Sequence, residues 1–155
     1  MTVYQQLKAR VQLVRDYPTQ TDIKLNRSED VYELLKDEVA TWDREKLISI
    51  LLNSRNQVIA IEEVSVGTLS ASIVHPREVF KSAILANASS IILVHNHPSS
   101  DSSPSEQDKK ITHKIHLAAE IMDITLIDHL IISENEYSSW ADEWTVQNRQ
   151  DFALF

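Results

Sequence analysis

Residues 90–108, SIILVHNHPSSDSSPSEQD, carry the chain from one of its most apolar runs into a polar loop with two histidines and an aspartate. SIILV has the length and branched composition of a buried strand. In extended backbone, side chains two positions apart point the same way. His95 and His97, at the strand's end, can therefore converge on one ion without a special turn. Asp108 falls in the first turn of the helix that follows. Two histidines and a carboxylate, with a fourth position open to water, form the ligand pattern of catalytic zinc. Pro98 and Pro104 stiffen the two ends of the loop. A purely structural interpretation competes, because Ser105-x-x-Asp108 has the spacing of a capping box. Ser103 offers another cap, with Pro104 at the first helical position and Glu106 at the third. That second arrangement frees Ser105 and Asp108 to face the histidines, and it makes Asp108 a ligand rather than a cap.

Outward from this stretch, strands and helices interleave. SEDVYELLKDEVA reads as an amphipathic helix, with Ser28 as its N-cap and Glu29 and Asp30 in the first turn. KLISILLN and QVIAIEEVSV form a hairpin across Asn53–Asn56. Gly67-Thr68 punctuates, and LSASIV is expected to continue extended to His75-Pro76. Residues 77–88 and 105–122 have helical spacing, the second with Ile111, Ile115, Ala118, Ala119 and Met122 inward. ITLIDHLIIS is a strongly apolar strand, SENE a turn, and YSSW a short extended segment. The expected fold class is α/β, a mixed sheet flanked by helices. Three regions are expected: a lead-in segment 1–27, a domain 28–140 and a tail 141–155.

Composition narrows the chemistry. The 155 residues are 43% hydrophobic and 25% charged, which suits one domain with a real core. Cysteine is absent, so disulfides, Cys-based zinc sites and thiol nucleophiles are excluded, and any metal must be held by His, Asp or Glu. The only glycine is Gly67, which rules out a glycine-rich phosphate loop. A net charge of −8 argues against a broad phosphate-backbone footprint and direct nucleic-acid binding. No apolar run approaches a membrane span, and the N-terminus has no hydrophobic signal core. A cytoplasmic location is expected.

His-x-His-Pro-x6-Ser-x2-Asp resembles the signature of the JAMM (MPN-type) zinc metalloproteases. The wider stretch from PREVFKSAILANASSIILVHNHPSS through DHLIIS looks like the RadC branch of that family, and the resemblance runs from about Ser28 to about Trp140. It implies a JAMM/MPN, cytidine-deaminase-like architecture and one zinc ion held by His95, His97 and Asp108. It also implies that Ser105 helps stabilise a developing oxyanion, and that a glutamate at the start of an early strand acts as general base. Glu45, directly before KLISILLN, matches that glutamate; Glu62, Glu63 and Glu78 are rivals. The implied reaction is amide or isopeptide hydrolysis of a peptide or protein substrate. The alternative is a non-catalytic or weakly catalytic metal-binding module of DNA repair, phage or mobile-element biology. Two departures stand out. RadC-like sequences usually carry glycine where this chain has Ser100, and serine is strained if the loop needs positive φ there. Longer relatives also carry an upstream helix-hairpin-helix-like segment that the short lead-in here lacks.

The remaining candidates have simpler explanations. HNH as a contiguous tripeptide does not match the separated residues that name the HNH nucleases. His113 and His116 are expected on the surface of their helix. His129 is expected to be a structural histidine, since Asp128 beside it faces the other side of the strand. Trp42, Trp140 and Trp144 are expected to pack, and His75-Pro76-Arg77 to mark a strand-to-helix corner.

Overall fold

The computed structural model describes residues 22–144; the expectations for 1–21, 145–155 and the Trp144 side chain lie outside these. The described chain runs α1 (Ser28–Val39), β1 (Lys46–Leu52), β2 (Val58–Val66), α2 (Pro76–Leu85), β3 (Ser90–Asn96), α3 (Glu106–Met122), β4 (Thr125–Ile132) and β5 (Tyr137–Ser139). A π-helical turn, Trp140–Trp144, follows. The strands form one sheet in the order β2-β1-β3-β4-β5. β3 and β4 are parallel and the other neighbours antiparallel, so α3 is the crossover that a parallel pair requires.

Helices cover both faces of the sheet, which is why β1, β3 and β4 are apolar nearly throughout rather than alternating. On one face, Val79, Phe80 and Ala83 of α2 and Ile111, Ile115 and Ala119 of α3 pack on Leu47, Leu51, Leu93 and Ile131. On the other, Val31, Leu35 and Val39 of α1 cover Ile48, Ile50, Ile92, Val94 and Leu130. Each fully buried aliphatic side chain contributes about 1.5–3 kcal/mol. The arrangement is a mixed α/β fold, as its sequence pattern indicates.

Local details of α1 and of residues 69–74 differ from expectation. The N-cap of α1 is Arg27 rather than Ser28, because the Asp30 carboxylate accepts from the Asn26 and Arg27 amides and starts the helix one residue earlier. LSASIV does not extend as a strand: residues 71–73 turn, and the Lys114 ammonium donates to the carbonyls of Ala71 at 2.9 Å and Val74 at 2.8 Å. The lead-in, where it is described, lies on the sheet: Lys24 bridges Gln57, and Leu25 N–H donates to Asn56 C=O.

Candidate metal centre

β3 carries His95 and His97 out of the sheet at the end of a fully buried strand. One ligand atom each from His95, His97 and Asp108 lie within 4.8 Å of one another. His97 Nε2 is 3.2 Å from Asp108 Oδ2, and His95 Nδ1 is 3.6 Å from Asp108 Oδ1. The His97 ring is fixed from its far side by Nδ1 against the Asp101 carbonyl at 3.1 Å. Such a bond is the kind that orients a ligating imidazole from behind, and it leaves Nε2 to face the centre.

His95 is 2% exposed, and neither ring nitrogen has a hydrogen-bond partner. Burying an unpaired imidazole is costly. Burial pushes its pKa down to about 3, with neighbouring His129 adding to the effect, so the ring is neutral and its lone pair available. For His97, the hydrogen bond to Asp108 raises the pKa; burial opposes this, and the Asp101 carbonyl and the charges of Asp108 and Glu45 add to it. Burial works against the charge of Asp108, yet the hydrogen bonds from His97 and Ser105 outweigh it and hold the carboxyl below its usual range. A neutral imidazole, a second imidazole and an ionised carboxylate form a donor set that fits a divalent ion of the zinc type.

The capping of α3 corrects the sequence expectation. Ser105, not Ser103, is the N-cap, and Pro104 precedes the helix rather than opening it. Asp108 closes the capping box: its Oδ2 accepts from Ser105 N at 2.8 Å and Ser105 Oγ at 2.6 Å, while Asp108 N donates back to Ser105 Oγ. Cap and metal-site geometry are therefore not alternatives, since a carboxylate has two oxygens and about four lone pairs. Oδ2 serves the cap and His97, and Oδ1 faces His95.

Glu45 precedes β1. Leu47 pairs with His95 in the antiparallel register, and continuing both strands by two residues would bring Glu45 near His97, whose pKa the Glu45 charge helps to raise. Its carboxylate accepts from Leu69 N at 3.2 Å and its carbonyl from Gly67 N at 2.8 Å. Gly67 has φ 104°, a conformation that favours glycine, so the chain's single glycine turns the backbone onto Glu45. The rival glutamates stand elsewhere. Glu63 pairs with Lys46, Glu78 lies in the exposed first turn of α2 beside Lys81, and Glu62 lies opposite Ser49, farther down the sheet.

Sequence reasoning missed two supports. Asn96, 3% exposed, accepts from Lys46 N at 2.7 Å through Oδ1 and donates to Arg44 C=O at 3.1 Å through Nδ2. Thr112 donates to Asp108 C=O at 2.7 Å, which leaves its oxygen to accept from Nδ1–H of fully buried His129 at 2.6 Å. His129 thus braces the first turn of α3 from behind, while Asp128 turns to the other face and accepts from Ser139. Ser100 is absent from the positive-φ residues Asn56, Gly67, Asn87 and Asp123, so serine there carries no left-handed strain. The loop is held instead by Glu136, which accepts from Ser102 N and Oγ. His113 and His116 are half-buried on α3, away from the centre, with His116 beside the Trp140 ring. Among the described residues, no helix is long and apolar enough to cross a membrane.

Residues 25–145 match the family model described as RadC-like JAB domain. A UPF0758 protein of Desulforamulus reducens is 44% identical over 137 residues, covering 86% of this chain and 60% of the relative. Those of Methanosarcina mazei and Desulforudis audaxviator are 44% and 48% identical, over 80% and 72% of this chain and 54% and 48% of theirs. The chain thus spans roughly half of the curated relatives it matches.

Proposed function

Because the chain belongs to the RadC-like JAB domain family, we propose that it is a metal-dependent hydrolase of amide bonds in peptides. One zinc ion would be held by His95, His97 and Asp108. The observation that carries this is the buried, neutral His95 ring, without a hydrogen-bond partner, aimed at an ionised carboxylate and a second imidazole. When bound, zinc would supply Lewis acidity, lowering the pKa of a water towards ~7 and polarising a carbonyl.

The chain's own groups do the rest. Glu45, near His97, takes a proton at its carboxylate and returns it to the leaving amine. Leu69 N–H fixes one Glu45 oxygen and leaves the other for that exchange. Asp108 stays ionised, and the Asp101 carbonyl holds the His97 ring from behind. Ser105 Oγ turns from Asp108 to support the carbonyl oxygen as charge develops. A second reading, a metal-holding module without catalysis, draws on the fact that this hydroxyl is already committed to Asp108.

Elemental analysis of purified protein tests the site. Wild type is expected to hold zinc stoichiometrically, and His97→Ala and Asp108→Ala to lose it. Zinc-free wild type, or Asp108→Ala with its zinc intact, refutes the assignment. With a fluorogenic peptide mixture as probe, Glu45→Gln should keep zinc and lose about 10²–10⁴-fold in hydrolysis. Full activity in that variant moves the base elsewhere, and no activity in the zinc-loaded wild type supports the second reading.

A further inference from the structure

We infer that Asn96, the residue between the two histidines, is a positioning residue that fixes Glu45 by stitching the backbone on either side of it to β3. This rests on Glu45 as the base proposed above.

Alternation along β3 turns Asn96 away from the face that His95 and His97 share. A residue between two ligands thus reaches a different partner, the start of β1. The ladder between β1 and β3 ends at Leu47 opposite His95. Beyond that point no backbone pair joins the two strands among the described residues, and the Asn96 amide takes over. Oδ1 accepts from Lys46 N and Nδ2 donates to Arg44 C=O, so the side chain bonds the residues just before and just after Glu45. One planar group with an acceptor and a donor acts here as a peptide unit would.

Asparagine fits this task specifically. Aspartate keeps the acceptor but sets a carboxylate oxygen against the Arg44 carbonyl, and serine is too short to reach both groups. The stitch also works from one side only. Gly67 N holds the Glu45 carbonyl and Leu69 N its carboxylate, both from residues 67–69, whereas Asn96 ties its two neighbours, Arg44 and Lys46, to β3. Glu45 is thereby held near His97. A displacement of ~1 Å at such a group can cost on the order of 10²-fold in rate.

The test compares wild type, Asn96→Ala, Asn96→Asp and Glu45→Gln, each loaded with cobalt(II) as the only added probe. Metal stoichiometry, amide exchange at Lys46 and the pH profile of the cobalt absorption are measured. Both Asn96 variants should bind cobalt fully, because the three ligands are untouched. Lys46 N–H should exchange faster in Asn96→Ala and stay protected in Asn96→Asp. The absorption midpoint of Asn96→Ala should move in the same direction as that of Glu45→Gln, with a broader transition. A wild-type midpoint in Asn96→Ala, where Glu45→Gln has moved, overturns the inference and leaves the base assignment intact. An unmoved midpoint in Glu45→Gln overturns the base assignment, and the role of Asn96 falls with it. If Asn96→Ala does not fold, Asn96→Asp decides on the same midpoint.

Discussion

Asp108 has two oxygens for the cap it makes and for the metal site proposed above, and the two roles can be separated by substitution. Ser105→Ala removes the hydroxyl that both accepts from Asp108 N and donates to Oδ2, while leaving the Ser105 N–H bond and the three ligand atoms. Loss of such an N-cap should lower stability by about 1 kcal/mol, within a range of roughly 0.5–2. Zinc content should stay stoichiometric; Asp108→Ala, by contrast, should lose both metal and cap. Chemical denaturation with parallel metal analysis checks this, and loss of zinc in Ser105→Ala would mean that the hydroxyl is part of the metal site itself. At this scale the sequence was partly legible. His95, His97 and Asp108 were visible because period-two alternation and fixed spacing bring them together. The cap was misassigned because Ser103 and Ser105 both precede acidic residues by three, and local sequence cannot rank two equally spaced boxes. Asn96 was invisible for a different reason. Its partners are backbone groups fifty and fifty-two residues away, and backbone groups leave no mark in a sequence.

At the level of elements, the 67–75 segment shows how a misjudged strand matters for the site. LSASIV has strand-like composition, yet Lys114 on α3 reaches over it and holds two carbonyls that a strand would have given to a neighbour. Gln107 adds a bond to Ala71 N. The turn so anchored follows directly on Leu69, whose amide holds Glu45. The start of α3 therefore presents Asp108 to the histidines on one side and, through this turn, steadies Glu45 on the other. Lys114→Met keeps the aliphatic stem and removes the charge-assisted bonds, each worth about 1.5–3 kcal/mol. Faster amide exchange is expected across 69–75, with the rest of α3 unchanged and metal content intact. Unchanged exchange there would show that the turn is held by its own Ser70 bonds to Ile73 and Val74. The long elements kept their expected type, because β1, β3, β4 and α3 are set by apolar patterns that burial on the sheet enforces; only Met122, expected inward, is exposed at the end of α3. Short, polar connections are decided by single long-range bonds, and those the sequence does not display.

For the molecule as a whole, the histidines buried in and behind the candidate metal centre make the metal-free fold sensitive to acid. Burial holds His95 down to about 3 and His129 down to about 4, both under the α2–α3 layer. In the unfolded chain each titrates near 6.5. Below that pH the unfolded state takes up two protons that the folded state refuses, so stability falls as pH falls. The slope is about 1.4 kcal/mol per pH unit for each histidine until its folded pKa is reached. His97 has the opposite sign: its raised pKa contributes fully below 6.5 and is lost as pH rises through the folded value, so it adds no slope in this window. The buried Asp128 carboxyl, pushed up by burial against bonds from Ala141, Ser139 and His129, opposes the trend as it takes up its proton. Thermal unfolding of chelator-treated protein should therefore show a melting temperature that drops steadily from pH 6.5 towards 4. His129→Gln should roughly halve the slope above pH 4, whatever it does to stability at pH 7. Added zinc should raise the melting temperature at pH 7, through a stabilisation of about 2.7 kcal/mol at a hundredfold excess over its dissociation constant. That gain should shrink as protons compete for the His97 imidazole, whose pKa is raised. A flat profile between pH 6.5 and 4.5 in the metal-free protein would mean that His95 and His129 reach solvent in the native state, and the desolvated site would have to be abandoned.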